Sequence, residues 1–432
     1  MSQKQKQWGA IIVMIALFAM IAFVTNLCTP MAVIVKNQFG ASNVLAQIGN
    51  YGNFIAYLLM GIPSGILLKR IGYKKTALVA LLVGIVGIFV QYMSGWESIG
   101  GFGLYLVGAF IAGCCMCMLN TVVNPMLNIL GGGGKKGNQL IQTGGVFNST
   151  AAVACYILMG ALIGEAAKAK IADATPALFI ALGIFIVAFV VIFFTKIDEP
   201  EQQVEVKKAE KDKYSAFSFR HFNLGILAIF LYMGVEVGVP NFVQQYLVAA
   251  PTDATPGLGI GAGTAGCIVA VYWFMMLIGR FVGASIGGKV SSRLMITTVS
   301  IATLVLVAFG MFTPQDILVS VPGVDWGNVE MIWQEVPVSI FAFLLVGLCT
   351  SVMWGAIFNM AVEGLGKYTS IASGAFMTMV FGCAVMQAIQ AWVADLTGSY
   401  LTSYVVVLFC AAYILFYALV GSKNVNKDIP VE

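Results

Sequence analysis

Three asparagines recur every four residues in an otherwise apolar stretch of the chain, at Asn120, Asn124 and Asn128. In an α-helix this spacing places the three amides on one face. An amide offers hydrogen-bond donors and acceptors together, which suits a solute that carries many hydroxyl groups. Amides within apolar helices also join neighbouring helices. The spacing therefore predicts either a ligand-binding face or a helix-packing face.

The carboxyl group of Glu236 stands at the centre of another apolar run. An ionisable side chain at the depth of a membrane is costly and by default marks a functional site. Glu236 is therefore a candidate for substrate binding and for coupling. The alternative is a protonated or hydrogen-bonded glutamate that pins its helix to a neighbour. Arg280 also lies within an apolar run, but nearer to its end, and we assign it to a loop motif.

Membrane helices must position these side chains, because the composition is that of an integral membrane protein. The chain of 432 residues is 59% hydrophobic and 10% charged, with a mean hydropathy of +0.92. Soluble domains are about a quarter charged. About twelve apolar runs approach the ~20 residues that a helix needs to cross a bilayer. Their predicted limits are 9–35, 44–68, 76–95, 101–130, 138–164, 177–196, 222–249, 264–288, 294–313, 337–362, 369–393 and 401–421.

The longest polar stretch, from Asp198 to His221, separates six of these runs from the other six. It is rich in charge and cannot bury an apolar face, so it predicts a solvated linker. The predicted domains are an N-terminal six-helix half at residues 1–196, a cytoplasmic linker at 197–221 and a C-terminal six-helix half at 222–432.

The basic residues indicate how the helices cross the membrane. With the N-terminus in the cytoplasm, almost all of the 23 Lys and Arg residues fall in cytoplasmic loops or tails, and the exceptions are Lys36, Lys168, Lys170 and Arg280. This bias follows the positive-inside rule. We therefore predict a multi-pass protein with both termini in the cytoplasm and outer loops that are acidic or neutral.

The loop between the second and third runs resembles a signature of the major facilitator superfamily. Its residues here are Gly65, Lys69, Arg70, Gly72, Lys74 and Lys75, with Lys69 where the signature has an acid. A counterpart between the eighth and ninth runs consists of Gly279, Arg280, Gly283, Lys289 and Arg293. The resemblance implies an all-α membrane protein with twelve transmembrane helices in two pseudo-symmetric six-helix halves. It also implies a cytoplasmic gate in which charge pairs of the motif, Arg280 included, hold the halves together.

Short motifs along the whole chain are similar to those of the fucose–galactose–glucose symporter family, the fucose permease-like branch. They are Thr25–Pro30, Gly61–Gly65, Asn120–Pro125, Gln142, Gly234–Val237 and Gly279–Phe281. The resemblance implies import of a neutral hexose or deoxyhexose across the bacterial inner membrane by alternating access, usually by proton symport. Fucose-type members carry acids at the positions of Thr29 and Asn120. Since neither of these side chains carries a proton at physiological pH, the coupling ion stays open between H+, Na+ and none.

The polar residues of the apolar runs are the candidate sugar-binding residues. Amides and hydroxyls would bond the sugar hydroxyls. Tyr272, Trp273 and Trp354 would supply flat apolar surfaces for a sugar ring, unless these rings face lipid or other helices. The full set is Thr25, Asn26, Thr29, Asn120, Asn124, Gln139, Gln142, Glu236, Asn241, Gln245, Tyr272, Trp273, Trp354, Asn359 and Gln387.

No constellation of residues indicates an enzyme, a cofactor or a metal site. His221 is the one histidine, the nine cysteines lie within apolar runs as packing residues, and Gly131–Gly137 lacks the residues of a phosphate-binding loop. The predicted partners are a small-molecule sugar, membrane lipid and H+ or Na+, with no nucleic acid, and the protein is predicted to be a monomer. The alternatives are a transporter of another polar solute and a non-transporting sensor of the same fold.

Overall fold

The structure is a computed structural model of the chain. It describes residues 8–39, 43–96, 98, 100–163, 170–172, 174–195, 197, 214–325, 330–426 and 428–431. Side chains are described throughout these ranges except at residues 28–30, 32–37, 39, 43–51, 53, 156–163, 262, 263 and 323–325. Most of the predicted linker lies outside the described residues.

Helices make up most of the described chain. In order they are α1 (Trp8–Phe39), α2 (Asn43–Met93), α3 (Phe102–Leu130), α4 (Gly134–Ile163), α5 (Thr175–Phe194), α6 (Arg220–Val248), α7 (Ala262–Ile286), α8 (Ser292–Phe312), α9 (Ser339–Thr350), α10 (Met353–Val362), α11 (Thr369–Thr378), α12 (Gly382–Thr397) and α13 (Val405–Phe416). One antiparallel pair of strands, β1 (Leu318–Asp325) and β2 (Glu330–Pro337), lies between α8 and α9.

Within the described residues, ten helical segments are long and apolar enough to cross a membrane. The segment Phe54–Met93 covers two predicted spans, and α4 occupies the fifth predicted span without being one of the ten. The prediction of an all-α membrane protein built from many spanning helices is therefore confirmed.

The turn between the second and third predicted spans is so short that α2 is interrupted only at Gly72. This residue has φ 86° and ψ 175°, a backbone conformation that is almost restricted to glycine. Just beyond it, Lys74 Nζ donates to the carbonyls of Phe193 (3.0 Å) and Thr195 (2.8 Å) at the C-terminal end of α5. A cation there complements the helix dipole and satisfies carbonyls that have no helical partner. Gly72 and Lys74 together set the direction of the chain after the turn.

Replacing Gly72 with alanine is expected to destabilise the protein by about 1–3 kcal/mol, because a Cβ strains this backbone conformation. Thermal unfolding of the purified protein in detergent measures the effect. Gly266→Ala is the matched control, since a Cβ at Gly266 in α7 would meet no heavy atom within 4 Å. Equal unfolding temperatures for the two variants would contradict the prediction.

Two spans that the sequence predicts as continuous are broken in the structure. Predicted span 337–362 consists of α9 and α10, which are separated at Ser351 and Val352, and predicted span 369–393 consists of α11 and α12, which are separated by a 3₁₀ turn at Met379–Phe381. Breaks of this kind leave backbone groups that neighbouring side chains must satisfy. Hydropathy does not reveal them, because the residues around each break remain largely apolar.

The segment between α8 and α9 forms a β-hairpin, where the sequence analysis predicted only an acidic or neutral loop. The strands pair in antiparallel register from Leu318 opposite Pro337 to Asp325 opposite Glu330. Val336 is buried, and β1 packs against α7. Alternation of half-buried and exposed side chains along β2 is typical of a strand with one covered face. The hairpin is thus held by its contact with the helices.

The chain divides into two compact units. The first comprises Met1–Phe222, Val362–Val380 and Asn424–Glu432, and the second comprises Asn223–Ala361 and Phe381–Lys423. The division into two six-helix halves at a central linker stays a prediction.

In the first unit, α11 packs against α2 through a contact that we call the glycine seam, formed by Gly61, Gly65, Gly374 and Thr378. A Cβ added at Gly61 would overlap Thr378 Oγ1 and lie 2.6 Å from the Thr378 backbone nitrogen. A Cβ at Gly65 would lie 2.8 Å from the Ser370 carbonyl oxygen. Small residues permit this close approach of two membrane helices. Gly65 of the predicted gate motif therefore lies at a backbone-to-backbone contact.

Within the first unit, hydrogen bonds hold the C-terminal tail in place. The backbone N–H of Lys367 donates to the carbonyl of Val431 (3.0 Å), and the backbone N–H of Arg220 donates to the side chain of Asn426 (3.0 Å). A Cβ added at Gly366 would overlap Val431. The tail therefore lies against both the turn that precedes α11 and the start of α6.

Candidate substrate-binding residues

The candidate residues of α1 are described to different extents. Thr25 is exposed, and half-buried Asn26 donates from Nδ2 to the carbonyl of Ala22 in its own helix (2.7 Å). Thr29 lies within α1, but its side chain is outside the described residues. The Asn26 amide is therefore partly engaged by backbone, whereas Thr25 keeps an exposed surface.

The candidate amides of α3 are buried in the first unit. Asn120 Nδ2 donates to the hydroxyl of Tyr57 in α2 (2.8 Å), and Asn124 Nδ2 donates to the carbonyl of Asn120 (2.9 Å). Asn124 has no exposed surface, while Asn120 is 7% exposed. This arrangement favours Asn124 as a brace within α3 and Asn120 as the residue that a substrate could reach.

Tyr57, Ser64 and Thr121 join α2 to α3 beside these amides, although the sequence analysis did not select them. The hydroxyl oxygens of Ser64 and Thr121 lie 2.9 Å apart. Asn120 and Tyr57 are 63 positions apart in the chain, and Thr121 and Ser64 are 57 positions apart. No helical spacing links residues at such separations, so a pattern within one helix could not have revealed them.

The glutamines near the start of α4 lie in a helix that packs against α1. Gln142 is buried and Gln139 is half-buried, and both interact with other residues. Further along α4, Asn148 Nδ2 donates to the carbonyl of Phe18 (2.8 Å). Side-chain amides of α4 thus help to join α4 to α1, and substrate contact by Gln139 and Gln142 stays a prediction.

In the second unit, Glu236 lies one turn before a proline in α6. Pro240 has no N–H, so the Glu236 carbonyl lacks its usual helical donor. The hydroxyl of Tyr272 in α7 donates to this carbonyl (2.9 Å). A neighbouring helix therefore satisfies the freed group, as membrane proteins require. The contact also holds α7 against the turn of α6 that carries Glu236.

The Glu236 carboxylate pairs with Arg280 rather than standing alone. Arg280 Nη2 lies 3.5 Å from Glu236 Oε1, and the side chains are 10% and 12% exposed, respectively. The sequence pattern predicts that Arg280 belongs to a loop motif at the end of its span, but the structure places its side chain among the helices, where it is 10% exposed. Helical side chains lean toward the N-terminus of their helix, and arginine is long. The Arg280 side chain therefore contacts a residue of α6 although its own Cα is near the end of the predicted span.

The residues Glu236, Tyr272 and Arg280, which we call the Glu236 cluster, have a further contact at the break between α9 and α10. Tyr232 donates to the carbonyl of Thr350 (3.3 Å), and the Tyr272 hydroxyl lies 3.0 Å from Thr350 Oγ1. A Cβ added at Gly279 would lie 2.6 Å from the Leu348 carbonyl oxygen. Gly279 thus lets α7 approach α9 next to Arg280. Thr350 and Tyr232 were not predicted, because the break that exposes the Thr350 carbonyl is a tertiary feature.

A second set of amides in this unit connects α6 to α12. Asn241 Nδ2 donates to Gln387 Oε1 (2.5 Å), and Gln387 Nε2 lies 2.9 Å from Cys383 Sγ. Gln390 is buried and donates to Ser403 Oγ (3.4 Å). The structure therefore brings the predicted residues Asn241 and Gln387 together.

The remaining polar candidates of this unit lie elsewhere. Gln245 is half-buried in α6. Asn359 Nδ2 donates to Ser292 Oγ at the start of α8 (3.0 Å). This bond places Asn359 against the first turn of α8, where its amide joins two helices.

The predicted aromatic surfaces are near the Glu236 cluster. The Tyr272 ring packs edge-on against Trp273, with centroids 5.3 Å apart, and Trp354 lies 6.3 Å from the ring of Tyr232. Trp273 and Trp354 are half-buried, while Tyr272 is fully buried. Tyr272 is therefore a packing residue whose hydroxyl holds α6, and the two tryptophans are the rings that retain exposed surface.

The basic residues of the predicted gate motif are not equivalent. Lys69, Arg70 and Lys75 are exposed, whereas Lys74 is half-buried at the end of α5. Their role in a gate stays a prediction. Among the described residues, no group of His, Cys, Asp or Glu could hold a metal ion.

The arrangement supplies the chemistry for binding an uncharged, hydroxyl-rich solute. In the first unit, the Asn120 amide is hydrogen-bonded to Tyr57. In the second unit, Asn241 and Gln387 provide amides, and Glu236 and Arg280 carry opposite charges. No nucleophile–base arrangement accompanies these residues in the described part of the chain.

Known transporters resemble this chain over most of its length. The family model of the Major Facilitator Superfamily matches residues 13–386. The chain is 30% identical over 431 residues to the glucose/galactose transporter of Brucella abortus biovar 1 (strain 9-941), covering 98% of this chain and 97% of that protein. It is 22% identical over 438 residues to the L-fucose-proton symporter of Escherichia coli (strain K12), covering 95% of this chain and 93% of that protein.

Solved structures show the same fold. The Major Facilitator Superfamily transporter FucP, in the outward conformation, matches with a TM-score of 0.77 at 19% identity, covering 96% of this chain and 99% of that chain. The proton:xylose symporter XylE matches with a TM-score of 0.69 at 11% identity, covering 97% and 95%. The fold and the relatives are those of transporters and not of enzymes. This multi-pass membrane protein belongs to the major facilitator superfamily, in its fucose permease-like group.

Proposed function

We propose that this protein is a secondary transporter that imports a neutral monosaccharide, a hexose or deoxyhexose. Two halves would rock around a central site and expose it to each side of the membrane in turn. The relatives named as glucose/galactose transporters and L-fucose-proton symporters support a sugar substrate.

The observation that carries the proposal is the kind of polar group inside the helices. Asn120 lies beside Tyr57, and Asn241 beside Gln387, each pair joining two helices. Such groups are costly in an apolar interior unless they bind each other or a ligand. Amides and hydroxyls match sugar hydroxyls in both donor and acceptor character. A purely apolar solute would gain nothing from them.

The bacterial relatives and the charge bias of the loops support a place in the bacterial inner membrane, with both termini in the cytoplasm. Gly65 of the glycine seam lies four residues before Lys69 and five before Arg70, so on this topology the seam lies toward the cytoplasmic side. Membrane lipid surrounds the protein, which acts as a monomer.

Sugar counterflow in proteoliposomes tests the function. Vesicles loaded with unlabelled sugar should take up labelled D-glucose, D-galactose or L-fucose in a saturable manner, while protein-free vesicles should not. A labelled nucleoside serves as the unrelated polar solute and should not exchange. Absence of saturable exchange for every hexose and deoxyhexose would overturn the sugar assignment, and exchange of the nucleoside alone would favour a transporter of another solute.

A further inference from the structure

The C-terminal tail, residues 424–431, is held within the first unit although most of its residues are polar or exposed. The structure describes all of it except residue 427. Val425 is 53% exposed, whereas Ile429 is 9% exposed and therefore buried. Terminal segments of this kind are poorly ordered unless other elements tie them down. The contacts of the tail therefore identify the elements to which it is tied.

One attachment of the tail is the start of α6. The backbone N–H of Arg220, the first residue of α6, donates to Asn426 Oδ1 (3.0 Å). An N–H in the first turn has no acceptor within its own helix, so Asn426 satisfies this group from outside. The backbone N–H of Asn426 in turn donates to Asn424 Oδ1 (3.0 Å). This local turn fixes the part of the tail that caps α6.

The other attachment of the tail is the turn that leads into α11. The backbone N–H of Lys367 donates to the carbonyl of Val431 (3.0 Å), and a Cβ added at Gly364 would lie 3.0 Å from Asn424 Nδ2. Gly364 and Gly366 have φ 73° and 47°, values that favour glycine. Because both residues lack a side chain, the turn can bend closely against the tail. The tail therefore contacts this turn at two places.

Side chains join the same turn to the start of α6. His221 Nε2 lies 3.0 Å from the carbonyl oxygen of Glu363, and the ring centroids of Phe219 and Tyr368 lie 5.8 Å apart. Phe219 and His221 have no exposed surface. The start of α6, the turn and the tail therefore form one packed junction, in which each segment contacts the other two.

Helix α11 connects this junction to the glycine seam. It has only ten residues, begins at Thr369 directly after the turn, and ends before the 3₁₀ turn Met379–Phe381. Its Gly374 and Thr378 contact α2 in the glycine seam. A helix this short is marginal by itself, so its position depends on its contacts with other elements. The junction holds the start of α11, and the glycine seam holds one of its faces.

We propose that the tail is a strap that holds α11 against α2 and thereby favours the closed form of the glycine seam. Release of the tail breaks the hydrogen bonds that it accepts from the N–H groups of Arg220 and Lys367, and it exposes Ile429 to water. The start of α11 is then held less firmly. On the predicted topology the strap lies on the cytoplasmic side, where it opposes opening toward the cytoplasm. This effect on α11 goes beyond the proposed sugar transport and does not depend on the substrate.

Hydrogen–deuterium exchange of the purified protein in detergent tests the strap. In a variant that ends at Lys423, the amides of α11 should exchange at least about tenfold faster than in the wild type, because local opening of α11 becomes less costly. The amides of α8, which lies in the second unit, should keep their wild-type rates.

Two point variants of the tail refine this test. Ile429→Ser removes the buried apolar side chain of the tail, so it should accelerate exchange of α11 in the same way but by a smaller factor. Val425→Ser is the matched control, since Val425 is exposed in the same segment, and it should leave exchange unchanged.

A double variant distinguishes a strap from a tail that merely adds stability. Gly61→Ala separates α2 from α11, so in that background the strap has no closed seam to favour. Truncation at Lys423 should therefore accelerate exchange of α11 less in Gly61→Ala than in the wild type. A tail that stabilised the whole fold would accelerate exchange by the same factor in both backgrounds.

Wild-type exchange of α11 in both the truncated protein and Ile429→Ser would overturn the inference. Equally faster exchange of α8 would also overturn it, because it would show a loss of overall stability. If the truncated protein does not fold, the comparison of Ile429→Ser with Val425→Ser decides. Absence of sugar counterflow together with the expected exchange pattern would remove the proposed function and leave the strap in place.

Discussion

Replacing Gly61 with alanine is expected to lower sugar uptake by about tenfold or more, because the added methyl group separates α2 from α11. The Cβ would overlap Thr378 Oγ1 and lie 2.8 Å from the carbonyl oxygen of Gly374. Backbone atoms cannot move aside as a flexible side chain can. Overpacking of this kind costs about 1–3 kcal/mol in well-packed proteins.

The effect on uptake follows from alternating access. A helix contact on one side of the membrane has to form in one conformation and open in the other. If the glycine seam is such a contact, a penalty of about 1.4 kcal/mol on its closed form shifts the equilibrium about tenfold. Gly61→Ala should therefore reduce net uptake while the protein still folds.

Uptake and thermal unfolding are measured together on Gly61→Ala and on Gly183→Ala. The second variant is the matched control, because a Cβ at Gly183 in α5 would meet no heavy atom within 4 Å. Gly183→Ala should retain both uptake and unfolding temperature. Wild-type behaviour of Gly61→Ala in both assays would show that α2 and α11 do not need their close approach.

Asn120→Leu is the second change with a large expected effect. Leucine removes the donor to the buried Tyr57 hydroxyl and the amide oxygen that lies 3.4 Å from Asn124 Nδ2, whereas Asn124 keeps its bond to the backbone carbonyl of residue 120. A buried polar group left without a partner costs about 1–3 kcal/mol. We expect sugar affinity to fall by about ten- to a hundredfold, since the amide that is hydrogen-bonded to Tyr57 is lost.

A double-mutant cycle with Tyr57→Phe separates the hydrogen bond from loss of the amide. If Asn120 acts together with Tyr57, the double variant should lose less affinity than the two single losses combined. Asn128→Leu is the matched control: it removes an amide from the same face of α3, two turns beyond Asn120, and should leave affinity unchanged. Equal losses of affinity for Asn120→Leu and Asn128→Leu would contradict a local role for Asn120.

The candidate site could be predicted from the sequence only where a single residue was unusual for its surroundings. Glu236 was evident because a carboxyl group in an apolar run is costly, and Asn120 because it repeats with helical spacing. The partners of both residues were not evident. Tyr57 is one of many aromatic residues in the predicted spans, so nothing in its own span singles it out. Arg280 lies near the end of its span, and only the direction of its long side chain in the structure shows where its charge lies.

The fold, too, could be predicted from the sequence only in part. The apolar runs and the basic loops were sufficient to predict an all-α membrane protein, since each helix must satisfy its own backbone in lipid. The breaks at Ser351 and at Met379–Phe381 and the hairpin between α8 and α9 were missed. Hydropathy averages over a span, whereas a break depends on side chains such as Tyr232 that reach it from another helix.

The sequence by itself determined the membrane class and the identity of the costly residues, because these depend on transfer between water and an apolar phase. Only the tertiary structure decided which groups meet: Asn120 with Tyr57, Asn241 with Gln387, and Glu236 with Arg280. The physical reason is that hydrogen bonds and ion pairs act over a few ångströms, and helices distant in sequence must pack before those distances exist. The net charge around Glu236 is therefore a property of the packed helices α6 and α7.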